Sequence, residues 1–174
     1  MEIVLAQKID KSIFESMIDG KGLRLVIFLC GCSHKCKNCQ NKSTWDINNG
    51  IVYDIDVVVN YIINLYQKGN YDGITFSGGD PFYQKDKLLI LIKKLRENLP
   101  NLNIWSYTGY VYENISNEEV LKYIDVLVDG PFIESKKDLG LRFRGSSNQR
   151  ILYLKNGKIQ KIKWFFFIIW SISL

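Results

Sequence analysis

The sequence has no run of basic residues, no internal repeat, no low-complexity linker and only one histidine. Its lysines are scattered, so the formal charge of +5 and the pI near 8.9 do not mark a nucleic-acid patch. Biased composition is absent too: 47% hydrophobic, 13% aromatic and 24% charged residues exclude disorder and collagen-like structure. The first 22 residues contain no uninterrupted apolar stretch of the length a signal peptide needs, so a cytoplasmic, reducing compartment is expected. No stretch reaches the roughly 20 apolar residues of a membrane span; the apolar end Trp164 to Leu174 has eleven residues, and no membrane partner is expected. Cysteine is missing everywhere except Cys30, Cys32, Cys36 and Cys39, which argues against a disulfide framework and for a metal.

What is present reads as one domain over residues 1–163 with an apolar tail at 164–174. Leu23 to Leu29 is an apolar run of strand formers, and the cysteines follow where it stops. Tyr53 to Lys68 repeats apolar residues every three or four positions, with Asp54 and Asp56 near its start and Gly69 past its end, as a helix does. Gly73 to Ser77 reads as a second strand broken by Gly78-Gly79-Asp80-Pro81. A helix through Leu88 to Leu95 follows, closed by Pro100. Asn103 to Tyr107 and Asp125 to Asp129 read as strands around a short helix at Asn117 to Tyr123, and Arg150 to Leu154 as a last strand. Strands separated by helices imply a mainly parallel α/β sheet. The polar stretch from Gly130 to Gln149 reads as a long functional loop.

Cys32-x3-Cys36-x2-Cys39 is the sharpest feature. Random placement of so few cysteines yields that triplet about twice in a thousand chains, so chance explains it poorly. Thiolates so close repel one another unless a soft metal or an iron–sulfur cluster neutralises them. Structural zinc needs a fourth ligand, for which Cys30 or His34 is at hand. Three ligands on one short loop suit a cluster with one iron left open. An electron-carrying ferredoxin and a small zinc-binding module are therefore both open readings.

The same residues carry a resemblance. CxxxCxxC after a first strand is similar to the motif of radical S-adenosylmethionine enzymes. The segment Gly31-Cys-Ser-His-Lys-Cys-Lys-Asn-Cys-Gln-Asn-Lys-Ser-Thr-Trp45 resembles the anaerobic ribonucleoside-triphosphate reductase activating family. Ser77-Gly-Gly-Asp-Pro81, Trp105-Ser-Tyr-Thr-Gly-Tyr110, Asp125-Val-Leu-Val-Asp-Gly-Pro-Phe132 and Arg144-Gly-Ser-Ser-Asn-Gln149 match in the family's order. Asn38 stands where this family usually has glycine, and the apolar tail has no counterpart.

The resemblance implies a partial, open βα barrel of about six units. It implies a [4Fe–4S] cluster held by Cys32, Cys36 and Cys39, with the fourth iron open to S-adenosylmethionine. Asn38, Cys39, Gln40, Gly78, Gly79, Asp80 and Thr108 are the implied cofactor contacts, with Asn38 meeting the adenine through its backbone and Asp80 accepting from the ammonium. The implied partner is anaerobic ribonucleoside-triphosphate reductase, on which a glycyl radical is generated, with reduced flavodoxin or ferredoxin as electron donor. A related glycyl-radical enzyme such as pyruvate formate-lyase is the alternative substrate. Cys30 reads as a small buried strand residue and His34 as a loop residue without chemistry. Trp45, Trp105, Tyr107 and Tyr110 either line the adenosine pocket or pack the core. Arg142, Arg144 and Arg150 are candidates for docking an acidic partner surface.

Overall fold

A computed structural model describes residues 1–163, and the tail at 164–174 lies outside them. Among the described residues nine strands form one sheet: β1 (Glu2–Leu5), β2 (Ile13–Ser16), β3 (Arg24–Leu29), β4 (Ile51–Asp54), β5 (Gly73–Gly78), β6 (Ile104–Tyr107), β7 (Val126–Asp129), β8 (Arg150–Lys155) and β9 (Lys158–Lys163). Their spatial order is β4-β1-β3-β5-β6-β7-β8-β9, with β2 also beside β3. Four α-helices of the described residues accompany them: α1 (Ile9–Ser12), α2 (Ile55–Lys68), α3 (Lys85–Asn98) and α4 (Tyr112–Ile115).

The α/β class expected from the sequence is observed, but the sheet is mixed rather than mainly parallel. Only β3, β5, β6 and β7 run parallel. The remaining strands join through antiparallel pairings. Among the described residues, helix-bearing connections link the four parallel strands, fewer than the six units expected, and the sheet path ends at β4 and β9 without closing. Strands β1, β2 and β4 have four residues each; antiparallel additions of that size need no crossover helix.

Helix α2 begins where the Asp54 side chain accepts from the backbone N–H of Asp56 at 2.8 Å, and it buries Ile55, Val58, Val59 and Ile62 on one stripe. Helix α3 buries Leu88, Leu91, Ile92 and Leu95 and stops before Pro100, whose ring disfavours helical geometry at Leu99. Between β6 and β7 the expected helix at 117–123 is instead the single turn α4 followed by a 3-10 turn, Glu119–Tyr123. Buried Asp129, at the end of β7, accepts from the backbone N–H of Tyr112 at 2.7 Å and fixes that earlier start.

Alternation along the strands divides the core. Leu25, Ile27, Ile74, Phe76, Ile104 and Leu127 face the helices. Trp105, Val126, Val128 and Ile151 form a second cluster on the other face, with Tyr107, Phe143 and Tyr153 packed against it. Buried Arg24 opens this second face, its guanidinium 5.3 Å from the centre of the Trp105 ring. It donates to Thr75 Oγ1 at 2.7 Å and to carbonyls of Ile74 and Asn103. Burial lowers its pKa to about 10, so it stays charged at neutral pH.

Candidate metal centre

Parallel strands gather their following loops at one end, and here those loops carry the chemistry. The cysteine loop leaves β3 and returns on itself: the N–H groups of Gly31 and Cys32 donate to the carbonyls of Thr44 and Trp45 at 2.7 and 2.9 Å. Lys35 and Asn38, immediately before Cys36 and Cys39, have φ of 48° and 55°. These left-handed residues turn the loop twice within eight positions. The Cys39 N–H donates to the Cys36 carbonyl at 3.1 Å, and the Asn41 N–H reaches Cys39 Sγ at 3.4 Å.

All four cysteines are free thiols. Burial pushes the Cys32 thiol up, while the backbone N–H groups of His34 and Lys35 pull it down and the charge of Asp80 raises it further. Cys30 sits inside the base of the loop, its thiol donating to the Asp46 carbonyl at 3.2 Å, and burial raises its pKa as well. Among the described residues no three His, Cys, Asp or Glu side chains converge on a point that holds a single metal ion. A [4Fe–4S] cluster does not ask for that convergence, because each cysteine binds a different iron. Partly exposed thiols met by backbone N–H donors are a donor set that fits such a cluster.

Asp80 is the hub of the site. It is 2% exposed; Oδ1 accepts from the Phe82 N–H at 2.9 Å, and Oδ2 lies 2.7 Å from His34 Nε2. Oδ2 also accepts from Thr108 Oγ1 at 3.1 Å and from the Gly109 N–H at 3.0 Å. One carboxylate thus ties together the cysteine loop and the loops after β5 and β6. Three donors meet Oδ2 and one meets Oδ1, which leaves Oδ1 with acceptor capacity for a further donor such as an ammonium. Gly78 (φ 102°) and Gly79 serve the same closure, since a Cβ on Gly79 would lie 2.4 Å from the Gly31 carbonyl oxygen. That approach is what lets the Asp80 N–H donate to the Gly31 carbonyl at 2.8 Å.

The other expected residues separate. Thr108 is buried within the Asp80 cluster, while Gln40 is exposed. The Asn38 side chain donates to Glu134, which also pairs with Lys37 at 3.3 Å, so the long loop is latched to the cysteine loop. Trp105 and Tyr107 pack the second core face, and Tyr110 stacks edge-on against His34 at 4.5 Å. Of the three arginines, only Arg142 is exposed. Arg150 is held by Asp129 and Glu113, and Arg144 is 9% exposed and donates to the Gln149 carbonyl at 2.7 Å. His34, expected to be a loop residue without chemistry, is instead a partner of Asp80, and neither Asn41 nor Glu134 has a local pattern that marks it. Asn41 Nδ2 donates to the Gly78 carbonyl at 2.9 Å, joining metal loop to glycine loop. A cavity of about 300 Å³ opens beside them, lined in part by Phe28, Asn41 and Thr44.

Residues 18–152 match a family model described as a 4Fe-4S single cluster domain. The chain is 38% identical over 136 residues to the anaerobic ribonucleoside-triphosphate reductase-activating protein of Enterobacteria phage T4, covering 77% of this chain and 86% of that protein. The chain belongs to this activating-protein family. The Haemophilus influenzae protein of the same name is 38% identical over 141 residues (78% and 90% of the two chains), and that of Escherichia coli K12 37% over 146 residues (80% and 94%). In this family member the matched region ends within β8, and it contains every residue of the cysteine loop and the Asp80 cluster.

Proposed function

We propose that the protein activates anaerobic ribonucleoside-triphosphate reductase by generating a glycyl radical on it, as a radical S-adenosylmethionine enzyme. The observation that carries this reading is the junction of a three-thiol loop with a glycine-rich loop through buried Asp80, in a chain of the activating-protein family. When bound, a [4Fe–4S] cluster supplies the electron that reductively cleaves S-adenosylmethionine, delivered to it by reduced flavodoxin or ferredoxin.

Cys32, Cys36 and Cys39 would hold three irons, and Cys30, whose thiol is engaged with the Asp46 carbonyl, would leave the fourth iron for S-adenosylmethionine. Asp80 fixes the spacing between the cysteine loop and the Gly78-Gly79 backbone, the surface offered to the methionine end, where its Oδ1 would also accept the ammonium. Asn38 and Gln40 flank Cys39 and offer backbone to the adenine, and Thr108 holds the third loop in place. The second face of the sheet is then the interior of a partial barrel whose open edge admits a polypeptide.

The test is anaerobic incubation of the reconstituted protein with S-adenosylmethionine, a reductant and either the reductase or pyruvate formate-lyase. A glycyl-radical paramagnetic resonance signal on the reductase is expected. A signal only on pyruvate formate-lyase moves the activity to that substrate, and a colourless zinc protein that leaves S-adenosylmethionine intact refutes it.

A further inference from the structure

The positive charge of this protein has an address. Segments 31–45 and 131–149 contain seven of the 23 basic residues and two of the 18 acidic ones, leaving sixteen of each elsewhere. Both segments follow parallel strands, β3 and β7, at the same end of the sheet, and Glu134 joins them through Lys37 and Asn38. The net charge of +5 therefore resides in a rim around the cysteines, on an otherwise balanced molecule.

Lys35, Lys42, Lys136, Lys137 and Arg142 in this rim are exposed, and among the described residues none makes a salt bridge. Leu139 stands between Lys136 and Arg142 at 90% exposure, an apolar side chain at the tip of the long loop. A solvent-exposed cationic ring with one apolar projection is the layout of a protein-docking rim. Thiolate neutralisation accounts for lysines inside the cysteine loop. It does not account for Lys136, Lys137 and Arg142, which lie on a separate loop.

We propose that this rim docks an acidic surface of the reductase polypeptide, with Lys136, Lys137 and Arg142 as the steering charges and Leu139 as the apolar anchor. The proposal rests on the reading that the substrate is a protein. The carboxylates of the partner add to the cationic side chains around Glu134, and the site beneath is presented to the segment that carries the reacting glycine. Opposite charge raises the association rate and makes binding sensitive to salt.

The experiment compares reconstituted wild type with the triple variant Lys136→Glu, Lys137→Glu, Arg142→Glu and with Leu139→Ser. Binding to the reductase is read by sedimentation at about 0.05 and 0.5 M salt. Cleavage of S-adenosylmethionine by dithionite is read without the reductase. Unchanged cleavage, at least about tenfold weaker binding by the triple variant at low salt and convergence with wild type at high salt are expected. Leu139→Ser is expected to weaken binding at both salts. Wild-type affinity in the triple variant overturns the docking surface, as does tighter binding of the rim to a DNA duplex than to the reductase. Failure of the wild type to form a glycyl radical on the reductase instead sinks the functional reading beneath it.

Discussion

Replacing Asp80 should separate loops that lie far apart in the chain. In Asp80→Ala the backbone N–H groups of Phe82 and Gly109 lose their acceptor in a buried site, at about 1–3 kcal/mol each. Thr108 Oγ1 can turn, because it already accepts from the Tyr110 N–H at 3.2 Å, and His34 is 17% exposed and can reach water, so those two add little. A loss of about 4 kcal/mol follows, which for a domain of this size lowers the melting temperature by roughly 8–16 °C. Asp80→Asn keeps one oxygen but turns an NH2 group toward a donor in either orientation, and should cost about 1–3 kcal/mol. Thermal unfolding of the metal-free protein by circular dichroism separates this from cluster loss. An Asp80→Ala protein melting within about 2 °C of wild type would refute the hub.

Cys36→Ser should lose iron after anaerobic reconstitution while Cys30→Ser keeps it, because the Cys30 thiol is engaged with the Asp46 carbonyl and a hydroxyl donates there as well; iron and sulfide analysis decides. Gly79→Ala forces a Cβ to 2.4 Å from the Gly31 carbonyl oxygen, a backbone atom that cannot step aside, and should cost about 1–3 kcal/mol by urea unfolding; an unchanged midpoint contradicts the close approach. Hydrogen bonds from Arg150 hold the Glu113 carboxyl below its usual value of 4.5. Its contribution is therefore present above pH 4.5 and fades as pH falls through the lower folded value. Because Glu113 is largely exposed, less than about 1 kcal/mol is at stake. Wild type and Glu113→Gln should differ in melting temperature at pH 6 and converge near the acid limit of folding, and a gap that widens on acidification would contradict the pairing.

The parallel strands were legible because β3, β5, β6 and β7 are buried and read as apolar runs, and α2 and α3 because their apolar residues keep a helical period. Strands β1, β2 and β4 have too few residues for a period to show, and β9, Lys158–Lys163, is a lysine-rich edge strand that resembles a loop. At the site, the cysteine spacing is local and could be read directly. The role of His34 depends on Asp80, 46 residues away, and the latch from Asn38 to Glu134 spans 96. Asp80 stands out in the sequence for its place after two glycines, but only the folded chain shows the donors from three loops that meet on its oxygens. The three arginines look alike in the sequence; in the folded chain Arg144 is buried and Arg150 paired, while Arg142 and neighbouring lysines stay at the surface.

If Cys32, Cys36 and Cys39 hold three irons of a four-iron cluster, the fourth is left for S-adenosylmethionine. Mössbauer spectroscopy of protein reconstituted with iron-57, before and after adding S-adenosylmethionine, tests it directly. About one quarter of the iron absorption is expected to shift on addition while the rest stays, since one iron in four lacks a cysteine. A spectrum that S-adenosylmethionine leaves untouched, or a protein that takes up zinc and no iron, would contradict it.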